Sequence, residues 1–129
     1  MPIKTVIATE VASQGRPTAG RKLGARLIWT DDLRDETTNA LLGQHSGECV
    51  LVREGDNGQL NVWKCEAGWT FLEGNLVAEG PLPFDPNIPT FTTAIYGGTG
   101  AYKDARGQIR GTSANLPAGQ TRYTLEILP

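Results

Sequence analysis

The segment Phe91-Thr92-Thr93-Ala94-Ile95-Tyr96-Gly97-Gly98-Thr99-Gly100-Ala101-Tyr102-Lys103-Asp104-Ala105-Arg106-Gly107-Gln108-Ile109 joins two extended runs through a glycine-dense corner. Phe91, Thr93 and Ile95 alternate as one face of a pleated strand, while Gly97, Gly98 and Gly100 allow the positive φ and close backbone approach of a tight corner. The segment therefore predicts strand, tight loop, strand, with Gly107 opening the second run. A glycine loop can also cradle phosphate. Here no Lys-Ser/Thr pair follows it, and no helix-forming run begins where a phosphate would need a helix N-terminus.

The same period of two extends outward along the chain. On one side, Trp63, Cys65, Ala67, Trp69 and Phe71 share a face that forms the core or lines a cavity, and Cys49 and Leu51 face opposite to Val50 and Val52. Leu27, Trp29, Asp31 and Leu33 share another face, so an aspartate stands beside a tryptophan. On the other side, Tyr123, Leu125 and Ile127 alternate near the end of the chain. Strands are expected at about 3–11, 26–33, 44–53, 60–71, 76–80, 90–96, 108–114 and 122–128. Asp35 to Leu42 is too short and too rich in Thr and Asn for a helix and is read as a turn. Pro81-Leu82-Pro83-Phe84-Asp85-Pro86-Asn87-Ile88-Pro89 is read as a crossing loop, since proline cannot donate to a central ladder. Eight antiparallel strands suffice to close an all-β, eight-stranded antiparallel β-barrel, with room for side chains or one small ligand.

Composition agrees with this. The chain has 129 residues, enough for a single domain over 1–129, and its 16 glycines and 8 prolines are spread as many short strands require. A net charge of −2 with mixed signs gives no basic face for nucleic acid or an anionic membrane. No apolar run reaches the length of a membrane span, and the first residues lack the apolar stretch of a secretory signal, so a soluble, cytoplasmic protein is expected. Cys49 and Cys65 with a single histidine cannot make a structural metal site, so no metal is expected. A hairpin folded about Glu54-Gly55-Asp56-Asn57-Gly58-Gln59 brings the two cysteines nearly opposite each other. Disulfide and paired thiols are both open, with buried thiols expected in a reducing compartment.

In order and spacing, several motifs resemble the allene oxide cyclase-like and dirigent-like β-barrels. They are Leu27-Ile28-Trp29-Thr30-Asp31-Asp32-Leu33, Gly43-Gln44-His45-Ser46-Gly47-Glu48-Cys49, Gly80-Pro81, Ala94 to Tyr102 with Ala105-Arg106-Gly107, and Tyr123-Thr124-Leu125. The resemblance covers most of the chain. It implies a homo-oligomer, dimer or trimer, that needs no cofactor and holds a reactive, largely apolar small molecule during cyclisation or coupling; microbial relatives include polyketide cyclases. Carried over by position, it places Trp29, Asp31 and Cys49 inside the barrel, with Glu10 as the nearest match to a first-strand glutamate. Trp29, Asp31 and Leu82 stand where the plant cyclases carry phenylalanine, asparagine and tyrosine, which argues against allene oxide as the substrate.

Asp31 is the leading catalytic candidate and Glu10 the second. A carboxyl beside Trp29 in a desolvated cavity has a raised pKa and can exchange a proton with a hydroxyl, enol or carbonyl during ring closure. The bland alternative is a carboxylate at a strand end, satisfied by water or arginine. Trp29, Cys49, Leu51, Trp63, Cys65, Trp69, Phe71, Leu82 and Tyr123 are the candidate substrate-binding residues. Each alone also fits an ordinary core, but three tryptophans on inward faces form a cavity wall that can fold a flexible chain for attack. His45 lacks the Gly-x-Ser-x-Gly elbow of a hydrolase and is read as non-catalytic. The expected activity is a cofactor-independent cyclase or isomerase of secondary metabolism, closing a spiroketal or cyclic ether. A pericyclic closure of Diels-Alder type is one alternative, and a non-enzymatic or dirigent-like binding barrel another.

Overall fold

A computed structural model describes residues 3–14, 23–55, 61–84 and 90–128. Eight strands follow in order: β1 (Ile3–Gln14), β2 (Arg26–Asp35), β3 (Leu41–Arg53), β4 (Asn61–Phe71), β5 (Gly74–Phe84), β6 (Thr90–Gly98), β7 (Arg106–Thr112) and β8 (Gln120–Leu128). Each pairs antiparallel with its sequence neighbour, and β8 returns to β1, closing the barrel. The alternation read from sequence fixes which side chains enter. Leu27, Trp29, Asp31 and Leu33 are all less exposed than Ile28, and Trp63, Trp69 and Phe71 are buried while Lys64, Glu66 and Thr70 are exposed.

The glycine corner forms the predicted strand, tight turn and strand, although Gly97 and Gly98 belong to the first strand and of the three corner glycines Gly100 alone has a positive φ. β6 ends at Gly98, a short 3-10 turn occupies Gly100–Tyr102, and β7 starts at Arg106. Gly107 has φ +134, and a Cβ there would lie 2.0 Å from the Glu126 carbonyl oxygen, so only glycine lets β7 approach β8 this closely.

Two expectations are corrected. Pro81 to Phe84 is not a loop: β5 continues through it, with Pro81 opposite Lys64 and Pro83 opposite Val62. Among the described residues β6 pairs with Leu76, Val77 and Ala78 of β5 and not with Pro81 or Pro83, so no ladder hydrogen bond to β6 is asked of either proline. Residues 85–89 of that expected loop, and 56–60 of the β3–β4 connection, lie outside the described residues. Cys49 and Cys65 are not thiols but a disulfide, formed because the register places them directly opposite on β3 and β4.

The interior holds two apolar clusters. The larger, including Val6, Leu33, Phe71, Leu76, Ile109 and Leu125, fills one end of the barrel. At that end Lys4 lies 3.9 Å from the Phe71 ring centroid, and its ammonium pairs with Glu73 at 2.7 Å. The Tyr102 hydroxyl also donates to Glu73, at 2.8 Å, and Lys4 and Tyr102 together hold that carboxyl down to about 2. The smaller cluster joins Cys49, Leu51 and Trp63, with Leu27, Trp29 and Cys65 packed against it. Between the two lies a cavity.

Candidate functional site

Strand register builds the polar centre of this cavity. Glu10 on β1 is opposite Asp31 on β2, Asp31 opposite His45 on β3, and His45 opposite Trp69 on β4. Directly opposed residues point to the same face of a sheet, so a single row across four strands carries two carboxyls, an imidazole and an indole inward. A register shift follows between Glu10 and Ala12, beyond the row, and leaves the exposed Val11 without a partner on β2.

His45 is 1% exposed and fully engaged. Its Nδ1 lies 2.9 Å from the Gly68 carbonyl oxygen, which can only accept, so Nδ1 carries the proton. Nε2 therefore presents its lone pair. It accepts from the Trp29 indole N–H at 2.9 Å and from the Tyr123 hydroxyl at 3.2 Å. Burial lowers the His45 pKa to about 4, only partly opposed by the Gly68 carbonyl. Asp31 is also buried, with Oδ2 3.9 Å from His45 Nε2. Burial first, then the charges of Glu10 and Asp32, push its carboxyl up to about 6. Burial and Asp31 likewise raise the Tyr123 hydroxyl. The order of the two values decides the charge state. As pH falls, Asp31 takes a proton before His45 does, so the pair is carboxylate and neutral imidazole near pH 7 and not a resident ion pair.

The rings around His45 form a floor. Its imidazole stacks on Trp69 with centroids 4.4 Å apart and meets Tyr123 edge-on at 5.0 Å, and Trp69 meets Tyr123 at 5.4 Å. Above this floor a cavity of about 200 Å³ is walled by Trp29, Phe91, Leu27 and the Cys49–Cys65 disulfide. Ala67, Ala78, Thr93 and Thr121 complete the lining, and their small side chains leave the room. The volume is below the roughly 300–1,000 Å³ of pockets for drug-sized ligands, so it suits a compact one.

Of the residues singled out from sequence, Trp29, Cys49, Cys65, Trp69 and Tyr123 line the cavity. Asp31 and Glu10 stand behind His45 in the cross-strand row and are not part of the wall. Leu51 and Trp63 are buried in the smaller apolar cluster, and Phe71, one step beyond Trp69 on the inward face, belongs to the packed end. Leu82 is opposite Trp63 in register, and its side chain lies outside the described residues. His45, read as non-catalytic, is the side chain on which the hydrogen bonds of the cavity floor converge. Parity was the available signal: His45 is two residues from Gly47 and four from Cys49, on the face already taken as inward. Phe91, Thr93, Leu27 and Thr121 also join the wall. Among the described residues no cluster of His, Cys, Asp and Glu is arranged to hold a metal ion, and no helix is long and apolar enough to cross a membrane.

No protein-family model matches the sequence, and no curated protein matches it. Solved structures do. A pyocyanin demethylase superposes with a TM-score of 0.83 at 21% identity, covering 98% of this chain and 100% of the other. AbnU, described as an exo-specific intermolecular Diels-Alderase, gives 0.73 at 15% identity, covering 98% of each chain. A pterocarpan synthase dirigent protein gives 0.67 at 17% identity, covering 98% of this chain and 82% of the other. These likenesses show that the chain shares the eight-stranded barrel fold of these proteins.

Proposed function

We propose that the barrel is a cofactor-independent cyclase of secondary metabolism that closes a cyclic ether in a compact, apolar, unsaturated substrate. The observation that carries this is His45: a neutral imidazole with its lone pair at Nε2, set in the floor of an apolar cavity between two hydrogen-bond donors. The Diels-Alderase and dirigent likenesses add that this fold accommodates ring-forming and coupling proteins.

The chemistry follows from the hydrogen bonds. The Tyr123 contact to Nε2 is the longer of the two, so a substrate hydroxyl displaces it and donates to Nε2 instead. As that hydroxyl oxygen attacks the β-carbon of a conjugated carbonyl, the Trp29 N–H turns off Nε2, whose single lone pair takes the hydroxyl proton, while the carbon–carbon π electrons form the enolate double bond and the carbonyl π electrons move to its oxygen. Tyr123, released from His45, donates a hydrogen bond to this oxygen. The imidazolium then returns the proton to the α-carbon, so the product is an isomer of the substrate. Spiroketal closure uses the same proton acceptor, with loss of water from the hemiketal. Asp31, ionised near pH 7, stabilises the imidazolium from 3.9 Å and does not itself touch the substrate. Confinement between aromatic walls supplies the near-attack geometry, an effect with an upper range of about 7–11 kcal/mol.

The test is incubation with linear hydroxy-enones of about ten to fourteen non-hydrogen atoms, sized to the small cavity, with products resolved by chiral chromatography. An enantio-enriched cyclic ether is expected. His45→Gln should lower kcat/KM by about 10²–10⁴. Two competing activities belong in the same panel because of the structural likenesses. Turnover of a diene–dienophile pair that survives His45→Gln replaces proton transfer with pericyclic closure by confinement. Loss of the methyl group from pyocyanin replaces ring closure altogether. Ligand binding without any conversion leaves a carrier or dirigent-like barrel.

A further inference from the structure

Most close-packed glycines of this barrel are fixed by their backbone. Gly74, Gly100 and Gly107 have φ of +154, +61 and +134, and a Cβ at Gly43 or Gly98 would strike backbone carbonyl oxygens of a neighbouring strand or turn. Gly47 and Gly111 differ. Neither has a positive φ, and the nearest atoms to a Cβ at either position all belong to one aromatic ring of the cavity wall. At Gly47 they are Trp29 Cζ2, Cη2 and Cε2, at 2.2, 2.6 and 2.8 Å; at Gly111 they are Phe91 Cζ and Cε1, at 2.5 and 2.8 Å, and Cε2.

Register explains both. Trp29 is directly opposite Gly47, and Phe91 directly opposite Gly111, so each ring lies flat across the strand beside its own. With strands in sequence order around the barrel, β2 faces β6 and β3 faces β7. The two glycine-seated rings therefore stand on opposite walls, with the floor of His45, Trp69 and Tyr123 between them. Trp29 must lie over Gly47 to reach His45 Nε2 with its indole N–H.

We propose that Gly47 and Gly111 determine which ligands the cavity admits: each is a seat in the wall for an aromatic ring, and a methyl group at either drives that ring into the space a ligand occupies. The inference rests on the cavity being the ligand site, and not on which reaction takes place there. Gly47 is in addition a positioning residue for His45, through Trp29.

The experiment uses the whole protein, phenol and 1-naphthol as probes in titration calorimetry, and the indole N–H resonances, with Trp29 assigned by its loss in Trp29→Phe. Gly47→Ala and Gly111→Ala are each expected to weaken 1-naphthol by about tenfold or more while changing phenol by less than about threefold. Gly47→Ala, and not Gly111→Ala, should also shift the Trp29 indole N–H as its bond to His45 breaks. Gly47→Ala combined with Trp29→Leu removes the displaced ring and should regain 1-naphthol. The proposal is overturned if both alanine variants bind both probes as the wild type does, if the two probes weaken equally, or if the double variant fails to regain 1-naphthol. A wild-type protein that binds neither probe overturns the ligand-site reading itself, a result distinct from all of these.

Discussion

Replacing Asp31 with asparagine should stabilise the protein, and by an amount that grows with pH. The carboxyl is 8% exposed and its pKa is raised from 3.8 to about 6, so the folded state holds the Asp31 proton more tightly than the unfolded state does. A raised carboxyl pKa has the opposite sign to the usual salt-bridged case. Between about pH 4 and pH 6 the folded chain binds more protons at this site, and the contribution of Asp31 to stability falls as pH rises through that window. The shift of about two pKa units corresponds to roughly 3 kcal/mol at pH 7 and above. Asparagine has no charge to desolvate and fills nearly the same volume. Relative to the wild type, Asp31→Asn should gain little near pH 3 and about 2–3 kcal/mol near pH 8, or close to 10 °C in Tm for a domain of this size. Urea unfolding of both proteins across that range, compared as a difference at each pH, isolates the effect from His45, which titrates in both. A difference that stays flat with pH, or that favours the wild type most at high pH, would refute a desolvated Asp31. Activity should move the other way, since the imidazolium formed in turnover loses its counter-charge.

The pH dependence of kcat/KM should show no acid limb at the ordinary histidine pKa of 6.5. His45 is neutral down to about 4, so a limb near 6 belongs to Asp31 and should disappear in Asp31→Asn, leaving activity to fall only towards pH 4; a limb near 6 that persists in Asp31→Asn would contradict a buried, neutral imidazole. Reducing the Cys49–Cys65 disulfide, which spans 16 residues, should cost about 3 kcal/mol in urea unfolding, and Cys49→Ser with Cys65→Ser should remove the sensitivity to reductant. Gly107→Ala should lower stability by about 2 kcal/mol or more, because the new Cβ meets the Glu126 carbonyl at φ +134; a loss under about 0.5 kcal/mol in calorimetry would show that β7 and β8 can part there. Lys4→Met keeps packing over Phe71 but loses the cation and its pairing with Glu73, and should cost about 1 kcal/mol, diminished by salt.

The barrel was legible because burial on one face imposes a period of two, and Trp63 to Phe71 and Leu27 to Leu33 carry it without a break. The inward facing of Trp29, Asp31 and Trp69 followed from the same parity, and that of Cys49 from the family resemblance. His45 did not, because its role depends on what lies across the strands. Asp31, Gly68, Trp29 and Tyr123 are 14, 23, 16 and 78 residues away in sequence, and only register brings them to one imidazole. The proline-rich stretch was misread for a similar reason: Pro81 and Pro83 forbid a central strand, and local composition does not say where the next strand will stop pairing. The disulfide turned on an assumption about compartment, whereas the register of β3 against β4 brings the sulfurs together.

Strand order has a kinetic consequence. Seven of the eight ladders join strands adjacent in sequence, and each can zip from its own connection, while the β1–β8 ladder must wait until almost the whole chain has been drawn round. That last ladder sets Val6 against Tyr123. Asp31, His45 and Trp69 belong to the three-strand meander β2–β3–β4 and can meet early. The Tyr123 hydroxyl reaches them from β8, so His45 gains this donor only when the two ends of the chain meet. Conservative truncations at Val6 or Leu125 should then speed unfolding far more than they slow folding, whereas truncations along β3 and β4 should slow folding, and recovery of function should trail recovery of strand signal during refolding.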